Sequence, residues 1–79
     1  MFAYEYEFKE LVQTLEFALV DYKTQFSERR WVSLDSILLI SPIECSDMGD
    51  RRRCSRAMQV LRKKRLCSYS RRHKEWMIH

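Results

Sequence analysis

One glycine (Gly49) and one proline (Pro42) are present in 79 residues, too few for a fibrous or Pro/Gly-rich disordered chain. No apolar stretch is longer than that of Ile37 to Ile40, far short of the ~20 residues a membrane span needs. The N-terminus carries Glu5 and Glu7 where a secretory signal would be basic. These absences predict a soluble, intracellular protein with no membrane association. The three cysteines (Cys45, Cys54, Cys67) leave one unpaired in any disulfide scheme, which suits a reducing compartment. Even with His73 and His79 added, they form no C-x-x-C pair or other zinc spacing. The expectation is therefore reduced thiols, no metal and no cofactor. No nucleophile–base pair, Gly-rich phosphate loop or tellingly spaced pair of carboxylates is found, so no enzyme and no small-molecule ligand are expected.

Acid is scarce in one place only. Residues 1–28 hold six acids against two bases and residues 29–50 hold four against two, but residues 51–79 hold eleven Lys and Arg against Glu75 alone. The formal net charge of +4 thus hides a polarised molecule. That asymmetry is the footprint of a polyanion-binding face backed by one that stays away from the polyanion.

The residues that are present read as one domain over residues 1–79, of α+β class and mostly α. Phe8, Leu11, Val12, Leu15, Ala18, Leu19 and Tyr22 recur at the i, i+3, i+4, i+7 spacing of an amphipathic helix. Phe2, Tyr4, Tyr6, Phe17 and Val20 lie off that stripe and predict a homodimer built on the N-terminal segment and first helix. Arg30-Trp31-Val32 favours a very short strand. Ser33 is a natural N-cap for a two-turn helix through Leu34, Ile37, Leu38 and Ser41, stopped by Pro42.

Ser41 to Gly49 is rich in turn formers, and Asp47 or Asp50 can cap a third helix after it. From Asp50, Cys54, Ala57, Met58 and Leu61 form the apolar face of that helix, and Arg52, Arg53, Ser55, Arg56, Gln59, Arg62 and Lys63 take the other side. Leu66–Ser70 and Glu75–His79 are β-prone runs flanking Arg71-Arg72-His73-Lys74, which predicts a hairpin with a basic tip. Trp31, Leu38, Leu61, Leu66, Trp76 and Ile78 are expected in the core.

Two stretches, Trp31-Val32-Ser33-Leu34-Asp35-Ser36-Ile37-Leu38 and Cys54 through Leu66, together with the order of elements, resemble the winged helix-turn-helix of MarR-like and ArsR-like regulators. The resemblance implies three helices, a short strand and a C-terminal β-hairpin wing. It implies a prokaryotic or viral transcriptional regulator that binds double-stranded DNA. Residues of about 50–64 would be the recognition helix and those of about 66–79 the wing. Arg65 stands where that family commonly has a glycine, and the turn between the second and third helices runs long. The Z-DNA-binding winged helices are also similar at Trp76, but Ser55 and Gln59 stand where that class has Asn and Tyr, so that reading is rejected.

In this frame Arg52, Ser55, Arg56 and Gln59 would face base edges in the major groove, where Arg reads guanine and Gln reads adenine. Arg62 and Lys63 would lie toward the backbone, and Arg71, Arg72 and Lys74 would meet phosphates or an adjacent minor groove. Arg51, Arg52 and Arg53 sit in the first turn of the third helix, where the helix dipole disfavours each by roughly 0.3–1 kcal/mol. A docked phosphate would offset this, and so would local pairing with Asp47 and Asp50. A different class of function that the same features allow is a protein-interaction module, such as a viral inhibitor or assembly subunit, that grips an acidic protein.

Overall fold

In a computed structural model describing all 79 residues, the chain forms three helices and a two-stranded antiparallel hairpin, a mostly helical α+β fold. A 3-10 turn at Ala3–Glu5 leads into α1 (Phe8–Gln25). Helices α2 (Leu34–Leu39) and α3 (Met48–Lys63) come next, then β1 (Cys67–Ser70) and β2 (Glu75–Ile78).

The helix starts are set by side-chain capping. The Ser33 hydroxyl accepts the Ser36 N–H at 3.2 Å, and the Asp47 carboxylate accepts the Asp50 N–H at 3.0 Å, each satisfying a donor that the first helical turn leaves free. Asp47 is therefore the cap of α3, which begins two residues before the position expected from its apolar spacing. Helix α2 ends at Leu39, so Ser41 lies outside it. At its C-terminus α3 closes with the Arg65 N–H on the Arg62 carbonyl at 2.9 Å and the Leu66 N–H on the Leu61 carbonyl at 3.1 Å. This is the Schellman pattern, with Arg65 in the left-handed position at φ 64°.

The α1 stripe of Leu11, Val12, Leu15, Ala18, Leu19 and Tyr22 is buried, mainly against α3, which contributes Cys54, Ala57, Met58 and Leu61. Leu34 and Ile37 of α2, together with Val32, Cys67 and Trp76, close the core at the hairpin end. Full burial of a Leu, Ile or Met side chain contributes about 1.5–3 kcal/mol. In the hairpin, Tyr69 stands opposite Trp76, their rings 4.5 Å apart.

Several expectations are corrected. The short strand at Arg30–Val32 is a single bridge, Val32 to Trp76. Trp31 is 39% exposed and Leu66 37% exposed, so neither belongs to the core, while Leu61 and Trp76 do and Leu38 and Ile78 pack half-buried against it. Val32 occupies the inward place of its bridge and Leu66 comes directly after the left-handed Arg65, so each expected core residue is displaced to the outside by its neighbour's conformation. Phe8, in the first turn of α1, is exposed as well. Tyr6 is half-buried against the core rather than free for a partner. The N-terminal segment folds back on the α2–α3 connection, where the Ala3 N–H donates to the Glu44 carbonyl at 2.7 Å and the Glu44 N–H to the Met1 carbonyl at 2.8 Å.

Candidate nucleic-acid interface

Successive residues of a helix turn by about 100°. With Cys54, Ala57, Met58 and Leu61 buried, that spacing puts Arg52, Arg56, Gln59 and Lys63 along the centre of the outward side of α3. Arg52, Arg56 and Lys63 are exposed and Gln59 is half-exposed. Arg51, Ser55 and Arg62 flank this stripe on the side of α2 and the hairpin. A cleft of about 330 Å³ between α3 and the hairpin has Ser55 and Gln59 on one wall and Tyr69 and Lys74 on the other. A second cleft beside it is bounded by Gln59, Arg62, Tyr69 and Arg71. The hairpin thus carries Lys74 and Arg71 to the same side of the molecule as the outer stripe of the helix, with Arg72 exposed in the turn between them.

Ten of the eleven Lys and Arg residues in 51–79 form no ion pair, because the chain holds two in all: Arg51 with Asp35, and the N-terminal ammonium with Glu44 at 3.6 Å. Arg52, Arg56, Lys63, Arg71, Arg72 and Lys74 are exposed and point to solvent from α3 and from a turn in which Lys74 is left-handed at φ 52°. Backbone conformation at the tip is stabilised by the His73 N–H donating to the Ser70 hydroxyl at 3.3 Å.

Two of the expected residues are engaged elsewhere. Arg51 is held by Asp35 across the α2–α3 angle, and Arg53 lies on the opposite flank, donating to the Ala3 carbonyl of the N-terminal segment. Because α3 starts at Met48, its first turn ends at Arg51, and Arg52 and Arg53 lie in the second turn rather than the first as expected. The dipole penalty therefore falls on Arg51 alone, where Asp35 offsets it, and Arg52 is left open. Asp50 is turned inward, 4% exposed. The Ser46 N–H donates to its Oδ2 at 2.7 Å and the Ser46 hydroxyl at 2.8 Å. The backbone bond from Ser46 holds the Asp50 carboxyl below the usual range, outweighing the opposite pull of desolvation, with help from the Ser46 hydroxyl and the Arg53 charge.

Gln59 is also partly occupied. The Arg62 Nε–H donates to its Oε1 at 2.6 Å, which uses one of the two lone pairs of that oxygen and leaves the other, with the amide N–H groups, for a base.

Tyr69 and Asp35 are the site residues that sequence reasoning missed. The alternation of Cys67 and Tyr69 on one strand face was available as a signal for Tyr69. The Asp35–Arg51 pair spans 16 positions, and no local pattern announces it. No three His, Cys, Asp or Glu side chains form a group that could hold a metal ion, and no helix is long and apolar enough to cross a membrane. No family model, curated protein or solved structure matches the chain.

Proposed function

We propose that the chain is a winged helix-turn-helix domain that binds duplex DNA, with α3 as the recognition helix and the β1–β2 hairpin as the wing. The observation that carries this reading is the set of unpaired cations on one side of the molecule: Arg52, Arg56 and Lys63 on α3, and Arg71, Arg72 and Lys74 on the hairpin. Arg52 and Arg56 stand four apart on the helix, where like charges destabilise by about 0.2–0.5 kcal/mol. A phosphate backbone relieves that repulsion and releases its own counterions on contact. The Val32–Trp76 bridge supports the wing assignment, since it adds the segment before α2 as a third, minimal strand to the hairpin.

Within this reading Arg52, Arg56 and Gln59 are the base-facing residues, and Arg71, Arg72 and Lys74 the phosphate contacts. Arg51 and Arg53 act inside the protein, orienting the start of α3. A homodimer formed through the exposed α1 residues Phe17 (71%) and Val20 (59%) would present two such helices to half-sites about one DNA turn apart. Sedimentation equilibrium at micromolar concentration tests it, a monomer with and without DNA being the contrary result.

The test of the binding reading is a titration of the protein into random duplex DNA, duplex RNA and single strands. Duplex DNA is expected to bind tightest. Equal binding to all of them reduces the domain to a nonspecific polyanion binder. Failure on every nucleic acid, together with salt-resistant binding to an acidic protein, replaces the reading with an interaction module.

A further inference from the structure

Cys45 and Cys54 meet across the α2–α3 connection with their sulfurs 3.9 Å apart, although eight residues separate them. Cys45 is half-buried on the turn, and Cys54 is fully buried in the second turn of α3. From this geometry we infer that Cys45 and Cys54 are a redox-active dithiol that a hydroperoxide converts to an intramolecular disulfide within the folded domain. This inference is independent of the nucleic-acid reading.

A disulfide needs its sulfurs at about 2.0 Å, so they must approach by about 2 Å. Side-chain rotation at Cys45, which lies outside any helix, is the natural source of that movement. The surrounding backbone is already fixed at this separation. Glu44, on one side of Cys45, is bridged to Phe2, and Ser46, on the other, is bonded twice to Asp50 of α3. The turn that carries Cys45 is thus anchored on both sides, which keeps its sulfur beside that of Cys54.

The two thiols differ in the way a sequential reaction uses. Burial pushes the Cys54 thiol well up, and the neighbouring Cys45 adds to this, so Cys54 stays protonated and is shielded from a bulky oxidant. Cys45 has the solvent access to react first. Its thiolate attacks one oxygen of the hydroperoxide, forming the S–O bond of a sulfenic acid as the O–O bond breaks and the other oxygen leaves as water or an alcohol. The Cys54 sulfur then attacks the Cys45 sulfur. The S–S bond forms, the S–O bond breaks, and hydroxide leaves with the Cys54 proton as water. Two thiols are oxidised and one peroxide is reduced. Cys67 takes no part: it is buried under the hairpin, its sulfur facing the Met58 carbonyl, with burial holding its pKa at about 11.

The test is to treat the folded, reduced protein with hydrogen peroxide, alkylate the remaining thiols under denaturing conditions and map the product by mass spectrometry. The expected product is a single chain two hydrogens lighter with one alkylated cysteine, Cys67. Trypsin then releases residues 31–51 linked to residues 54–56. Cys45→Ser should lose the link and leave Cys54 reduced, whereas Cys67→Ser should still form it. The inference is overturned by a link that involves Cys67, by dimers joined through Cys45, or by oxidation that stops at a Cys45 oxyacid with Cys54 still alkylatable. Three alkylated cysteines after exposure that oxidises a small-molecule dithiol control overturn it equally.

Discussion

Val32 and Trp76 exchange both of their backbone hydrogen bonds, the N–H of each donating to the carbonyl of the other at 2.7 Å. This pairing ties the hairpin to the segment that enters α2 and places the indole of Trp76 in the core, 2% exposed. Trp31, one residue away from the bridge, is 39% exposed. The two tryptophans should therefore respond very differently to truncation. Trp76→Ala should cost about 3–5 kcal/mol, comparable to the whole stability expected of so small a core, and leave the protein largely unfolded by circular dichroism. Trp31→Ala should cost under about 1 kcal/mol in a urea melt. Equal losses would contradict the assignment of Trp76 as the indole that joins hairpin to core.

Arg65 holds the left-handed position at the end of α3, a conformation that costs an L-residue with a Cβ roughly 1–2 kcal/mol. Glycine fits it without that penalty but gives up more chain entropy on folding. Arg65→Gly should consequently stabilise the domain by about 0.5–1 kcal/mol, while Arg65→Val should destabilise it. Thermal melts of the two variants against wild type decide the matter, and a destabilised glycine variant counts against the Schellman cap.

Asp50 gives the stability a definite pH dependence. Its folded-state pKa is lowered, principally by the Ser46 backbone bond. Its contribution is therefore fully present above the unfolded carboxylate value of about 3.9 and is lost as pH falls through the lower folded value. Urea midpoints measured from neutral pH downward should fall in acid, and Asp50→Asn should flatten that fall. An Asn variant with the same acid profile as wild type would show that Asp50 is not the group responsible.

The basic face should divide its labour. Arg56→Ala and Gln59→Ala should lose about 1–3 kcal/mol on a preferred sequence and much less on random DNA. Arg72→Ala and Lys74→Ala should weaken all duplexes alike. Asp35→Asn frees Arg51 and removes a negative charge beside α3, so it should tighten duplex binding by roughly three- to tenfold at low salt. Fluorescence anisotropy on paired specific and random duplexes measures all five. Uniform weakening by the first four variants would dismiss α3 as the reading element.

Much of the fold is legible in local pattern. The 3.6-residue spacing from Phe8 to Tyr22 and from Asp50 to Leu61 marks α1 and α3, and Ser33 and Asp47 mark helix starts, because capping and amphipathicity act over a few residues. Two β-prone runs around a polar turn are enough to give the hairpin. The features that escape a local reading depend on distant partners. The pairing of residues 1–3 with Glu44, the capture of Arg51 by Asp35 and of Arg53 by the Ala3 carbonyl, and the meeting of Cys45 with Cys54 are set by how the helices pack. Trp31 and Leu66 defy their apolar character because a side chain next to a strand bridge or a left-handed residue takes its direction from that neighbour's backbone.

If the domain binds duplex DNA as proposed, Arg71, Arg72 and Lys74 at the hairpin tip meet the phosphate backbone while α3 faces the bases. The most direct measurement of this is the affinity for a random duplex across salt concentration. Each phosphate contact contributes a slope of about −0.9 in log affinity against log salt. A steep linear fall is expected for the wild-type protein, with Arg72→Ala and Lys74→Ala each reducing the slope by about 0.9 for the one contact removed. An affinity that does not change with salt, or slopes that the two variants leave untouched, would contradict the proposal.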